Sequence, residues 1–125
     1  MDSMTKVDYE IYDIGGEIIT DTADCVVKEN SQLGNLLITS TSIRAGKTTS
    51  GHSCADQDAV YYFISGTGSI TLNYPQRVDF HNVKPGVVIL VEKGVYNKVY
   101  NNSLTENLYF VCVLNGEKPK ESNSL

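Results

Sequence analysis

From Gly34 onward, glycine- and proline-centred turns cut the chain into short apolar segments, and no apolar stripe at helical spacing runs between them. Segments of this length, rich in Val, Ile, Leu, Thr and Tyr, read as strands. Leu36–Ile43 is one, closed by Ala45-Gly46-Lys47, and Ala59–Ile64 is a second, closed by Ser65-Gly66-Thr67-Gly68. Ser69–Tyr74 then reads as the hairpin partner of Ala59–Ile64, and Pro75 ends it before a short strand at Arg77–Phe80. After the turn Lys84-Pro85-Gly86 come Val87–Val91, Lys98–Tyr100, the polar loop Asn101–Asn107 and a last strand, Leu108–Leu114. The total is about seven or eight strands with no intervening helix, which predicts an all-β antiparallel sandwich or barrel rather than a parallel sheet.

Length and charge narrow the possibilities. The 125 residues suffice for one core. Ten basic against fifteen acidic residues give a net charge of −5, which disfavours a nucleic-acid partner because phosphate binding needs a basic face. The apolar runs are far shorter than the roughly 20 residues of a membrane-spanning helix. Residues 1–20 read as an acidic arm carrying Tyr9, Ile11, Ile14, Ile18 and Ile19, with neither the basic nor the apolar region of a signal peptide. Residues 21–116 form the expected barrel domain, and 117–125 a polar tail. The three cysteines, Cys25, Cys54 and Cys112, fit no disulfide framework and no C-x-x-C spacing, so reduced thiols and a cytoplasmic location are expected.

Two spaced patterns go further. The first runs Gly46, five residues, His52-Ser53-Cys54, then Tyr61-Tyr62-Phe63-Ile64-Ser65-Gly66-Thr67-Gly68; the second runs Gly86, five residues, Glu92, Gly94, Asn97, Asn101. In this order and spacing they resemble the two motifs of the cupin superfamily, over about Ile38 to Leu114. The resemblance implies a jelly-roll barrel, also called a double-stranded β-helix. It also implies a metal cage of two His and one Glu from the first motif and one His from the second. Here those places hold His52, Cys54, Ala59 and Asn97, and Glu92 replaces the motif's proline. No resident metal is therefore favoured. A divalent zinc, iron, nickel or manganese ion would have to rely on His52, Cys54, Asn97 and an Asp58 turned inward by a β-bulge; without the bulge, Asp58 faces outward.

In such a barrel His52, Cys54, Tyr61, Phe63, Tyr96 and Asn97 would line a cavity suited to a small polar molecule of the carbohydrate type. Each has a plainer reading. Tyr61 and Phe63 are equally well core residues, Cys54 a small buried hydrophobe, His52 and Asn97 interior hydrogen-bonders, and His81 a surface residue. Three functions remain open: a binding domain with the usual metal site lost; a metal-free sugar isomerase or epimerase using His52 and Tyr61 as base and acid; and a non-catalytic structural or regulatory module. A homodimer is the expected assembly, with the isoleucine-bearing arm added to a partner's sheet.

Overall fold

The computed structural model describes residues 16–33, 35–49, 52–53 and 57–115. Among them are ten strands: β1 (Glu17–Asp21), β2 (Cys25–Leu33), β3 (Leu36–Ile43), β4 (His52–Ser53), β5 (Asp58–Ser65), β6 (Gly68–Tyr74), β7 (Arg77–Val83), β8 (Val88–Val91), β9 (Tyr96–Asn101) and β10 (Leu108–Asn115). They form a six-stranded sheet, β1-β2-β3-β10-β5-β8, and a four-stranded sheet, β4-β9-β6-β7. Every pairing is antiparallel, as a jelly roll requires. No helix of the described residues is long and apolar enough to cross a membrane.

Strand alternation builds the core. Ile43 on β3, Ala59, Tyr61 and Phe63 on β5, Ile70 and Leu72 on β6, Val99 on β9, and Leu108, Phe110 and Cys112 on β10 all point between the sheets and are buried. Burying each large aliphatic or aromatic side chain in this way contributes about 1.5–3 kcal/mol. Among the described residues Phe63, Ile43, Ile70, Leu108 and Val99 are the largest fully buried side chains.

Two sequence expectations need correction. The sheet reaches further back than Leu36, since β1 and β2 add an antiparallel hairpin to it. Ser31, Gln32 and Lys28 interrupt the apolar alternation of β2, and a register shift between Glu29 and Ser31 breaks its period, so the segment lacks a clean strand pattern. The second correction concerns Gly66-Thr67-Gly68. β5 and β6 do not pair as a hairpin: β5 lies between β10 and β8, and β6 between β9 and β7. The glycine pair is a corner at which the chain leaves one sheet for the other. Gly66 has φ of 88°, and a Cβ there would meet the Asn107 carbonyl oxygen; a Cβ on Gly68 would meet that of Tyr100. These residues are glycines because two backbones cross there, a requirement that resembles a tight turn when only the sequence is read. The true hairpin is one element later, where Tyr74 pairs with Arg77 across Pro75-Gln76.

The loop before β4 is fastened to β9. The Thr48 hydroxyl donates to the Val99 carbonyl at 2.8 Å, the Val99 amide donates to the Thr49 hydroxyl at 3.0 Å, and the Asn101 amide donates to the Lys47 carbonyl at 2.8 Å. Asn101, the last residue of the second motif pattern, is a buried organiser. Its side-chain amide donates to the carbonyls of Ile43 (2.9 Å) and Glu106 (2.8 Å), and its oxygen accepts from the Ser103 amide at 2.9 Å. One side chain thereby satisfies the backbone of the loop following β9.

Candidate functional site

Of the four positions matched to the motif ligands, the described residues place the backbone of His52 and the side chains of Ala59 and Asn97. β9 pairs with β4 so that Asn97 lies opposite His52, and β5 brings Ala59 to the far sheet, opposite Val91. Ala59 has no donor atom. Asn97 is buried, and its Oδ1 accepts a 2.8 Å hydrogen bond from the Tyr61 hydroxyl. Asp58 is exposed, and its carboxylate accepts from the Lys93 amide at 2.9 Å. The bulge that could have turned Asp58 inward is at the other end of β5, where the register with β10 shifts between Tyr109 and Phe110. Cys54 and the side chain of His52 lie outside the described residues. Among the described residues no three His, Cys, Asp or Glu side chains come together; Ala59 offers no donor atom, and the Asn97 side chain is engaged by Tyr61.

Of the expected pocket lining, Tyr61 and Phe63 form core. Tyr61 is only 3% exposed, and its ring stacks on Phe110 with centroids 5.5 Å apart; Phe63 meets the same ring at 5.0 Å. The Tyr61 phenol ends this aromatic column and is held by Asn97, so a role as catalytic acid would require breaking a buried hydrogen bond. Tyr96 is not an interior residue. It neighbours inward-facing Asn97 on β9, faces outward and is 41% exposed.

Open space lies to one side of that column. β7 and β8 are edge strands of opposite sheets, and between them is a cleft of about 470 Å³ lined by Leu72, Tyr74, Asp79, His81, Val87 and Ile89, with further walls from Asn82, Val88 and Leu90. Register explains the lining. Asp79 lies opposite Leu72 and His81 opposite Ile70, so both polar side chains share the inward face of the four-stranded sheet, while Val78 and Phe80 point outward and are each 59% exposed. β7 is thus inverted, with its polar face toward the cleft and its apolar face toward solvent. Ile89, opposite Tyr61 on β5, supplies the apolar wall from the other sheet. At the hairpin tip the Arg77 guanidinium lies 4.1 Å from the Tyr74 ring centroid, and its Nε donates to Asp79 at 3.2 Å.

His81, read from sequence as a surface residue, is exposed, and it also faces this cleft. Asp79 and Tyr74 were not singled out at all. The available signal was the alternation Arg77, Asp79, His81 against Val78, Phe80, which is legible as a strand but not as an inverted one until its pairing with β6 is known.

Neither a protein-family model nor a curated protein sequence matches the chain. Solved structures do. The chain is similar to KdgF from Halomonas sp. (TM-score 0.68, 11% identity, covering 82% of this chain and 89% of that one). It is also similar to a cupin superfamily protein from Desulfitobacterium hafniense (TM-score 0.63, 13% identity, 78% and 83%). The vicilin from Corylus avellana matches with TM-score 0.74 and 18% identity over 80% of this chain, which spans only 30% of that longer protein. The fold is the cupin jelly roll.

Proposed function

We propose that this cupin-fold domain binds a small polar molecule of the carbohydrate type in the cleft between β6–β7 and β8. The observation that carries this reading is the inverted strand β7, which turns Asp79 and His81 toward the apolar wall of Leu72, Val87 and Ile89. A polyol has the matching character, with hydroxyls for a carboxylate and an imidazole and C–H faces for aliphatic and aromatic walls. Arg77 offsets the Asp79 charge, so the cleft favours a neutral or weakly charged ligand over a strong cation. Turnover through His52 and Tyr61 has less support, because the Tyr61 phenol is committed to Asn97. The test is calorimetric titration of the full chain with a panel of monosaccharides, uronic acids and sugar phosphates. Saturable binding to at least one of them, weakened in His81→Ala and Asp79→Asn, is expected. No binding across the panel, or binding indifferent to both substitutions, overturns the reading.

A second copy of this chain is the proposed partner. On the outer face of β5 and β8, Tyr62 lies beside Val88 and Val60 beside Leu90, and Leu90 is 75% exposed. A contiguous apolar face of this kind is a common mark of an association surface. The arm expected to join a partner's sheet lies mostly outside the described residues; its described end, in β1, exposes Ile18 and Ile19 at a sheet edge. Sedimentation should show a dimer that Leu90→Glu dissociates. A full-length protein that stays monomeric at high micromolar concentration removes the proposal.

A further inference from the structure

Away from the cleft, the outer face of the six-stranded sheet carries a second pocket. Val26, Lys28, Ser40, Ser42 and Tyr109 line a pocket of about 320 Å³, roughly ten water volumes. Two cross-strand rows build it. Ser40 on β3 lies between Lys28 on β2 and Val111 on β10, and Ser42 lies between Val26 and Tyr109. Serine is an unusual choice for the middle of a sheet, where β-branched and aromatic residues pack better. Here two serines follow one another on the same face of a central strand, and Ser40 is only 3% exposed.

The polar groups of this pocket are unspent. The Tyr109 hydroxyl is buried without a hydrogen-bond partner. Among the described residues no hydrogen bond or ion pair engages the side chains of Lys28, Ser40 or Ser42. Lys28 is the single ionisable group of the described lining apart from the phenol, and Glu29, its neighbour on β2, alternates to the opposite face. The donor set is therefore one ammonium and two serine hydroxyls, with the phenol beside them and no carboxylate among the described lining residues. A metal ion or an organic cation would meet the Lys28 charge unfavourably, and a neutral ligand would leave that ammonium unpaired. An oxyanion satisfies the whole set, because its oxygens accept from the ammonium and the hydroxyls in charge-assisted hydrogen bonds.

We infer that this outer-face pocket is a binding site for a small oxyanion, namely a phosphate, sulfate or carboxylate group, separate from the cleft of β6–β8. The inference does not depend on the reading of the cleft. Its test is titration of the isotopically labelled full chain with inorganic phosphate at constant ionic strength, followed by amide NMR. Saturable shifts are expected at Lys28, Ser40, Ser42 and Tyr109 and not at Asp79 or His81. Lys28→Met should weaken binding about tenfold or more, Ser40→Ala by less, and Lys28→Arg should retain it, with thermal melts confirming that each variant is folded. Parallel titrations with sulfate and acetate distinguish a tetrahedral from a planar oxyanion. Shifts that rise linearly without saturation, or saturation unchanged in folded Lys28→Met, overturn the proposal.

Discussion

Two sides of one barrel have opposite characters. Between β5, β9 and β10 the interior is closed by Phe63, Phe110 and Tyr61, and the last polar atom of that column is tied to Asn97. Between the edge strands β7 and β8 the sheets part, and polar side chains enter the gap. Both regions arise from the same period-2 alternation. The difference lies in what faces the inward positions: complementary rings and a neutral hydrogen-bonded pair on one side, and Asp79 and His81 without an interior partner to seal them on the other. A cavity thus need not coincide with the positions where family ligands sit; it lies where inward side chains fail to close on one another.

The largest effect should come from opening the closed side. Phe63→Ala removes a fully buried ring from the column and should cost about 3–5 kcal/mol in chemical denaturation. A loss below about 1 kcal/mol would mean that this side is not close-packed. Next is Tyr61→Phe, which keeps the ring but takes the donor from Asn97 Oδ1; about 1–3 kcal/mol of stability should be lost. Adding Asn97→Leu to that variant should recover part of the loss, since both polar groups are then gone, and a double-mutant cycle measures how much.

On the open side the expectation reverses. His81→Ala should change the unfolding free energy by no more than about 0.5 kcal/mol, while weakening a bound polyol by about 1 kcal/mol in the calorimeter. A His81→Ala variant that unfolds readily would show the cleft to be structural and erase the contrast. The smallest effect is expected at Cys25, the first residue of β2, paired with Ile43 of β3. Burial pushes its thiol pKa above the ordinary value, ahead of an opposing hydrogen bond from Thr22. The folded state therefore keeps the proton longer than the unfolded chain, so the associated stability is present at neutral pH and declines as pH rises through the alkaline range above about 8.5. Alkylation of Cys25 at neutral pH should be slow compared with an unfolded control.

Much of this molecule was legible beforehand, for reasons of locality. Leu36–Ile43 is a strand with the bounds read from its β-rich run, and the segments at Ala59, Ser69, Val87 and Leu108 follow within a residue or so. Alternation and turn chemistry act over a few residues and are written in consecutive letters. The resemblance of the two glycine-bearing motifs to those of the cupins implies the jelly roll and the place of Asn97, and Tyr61 and Phe63 share the inward parity of Ala59. Only the tertiary structure decided which strands pair. That choice turned Gly66-Thr67-Gly68 from a hairpin into a corner, and brought His81, a surface loop residue on the sequence reading, together with Asp79 into the lining of a cleft. It also decided that Tyr61 is committed to Asn97, because the partners of a buried hydroxyl are 36 residues apart in sequence and meet only when two sheets close on each other. Parity along a strand is a local property, whereas which surface the inward face meets, and whether that surface fills the space, is set by contacts between distant segments.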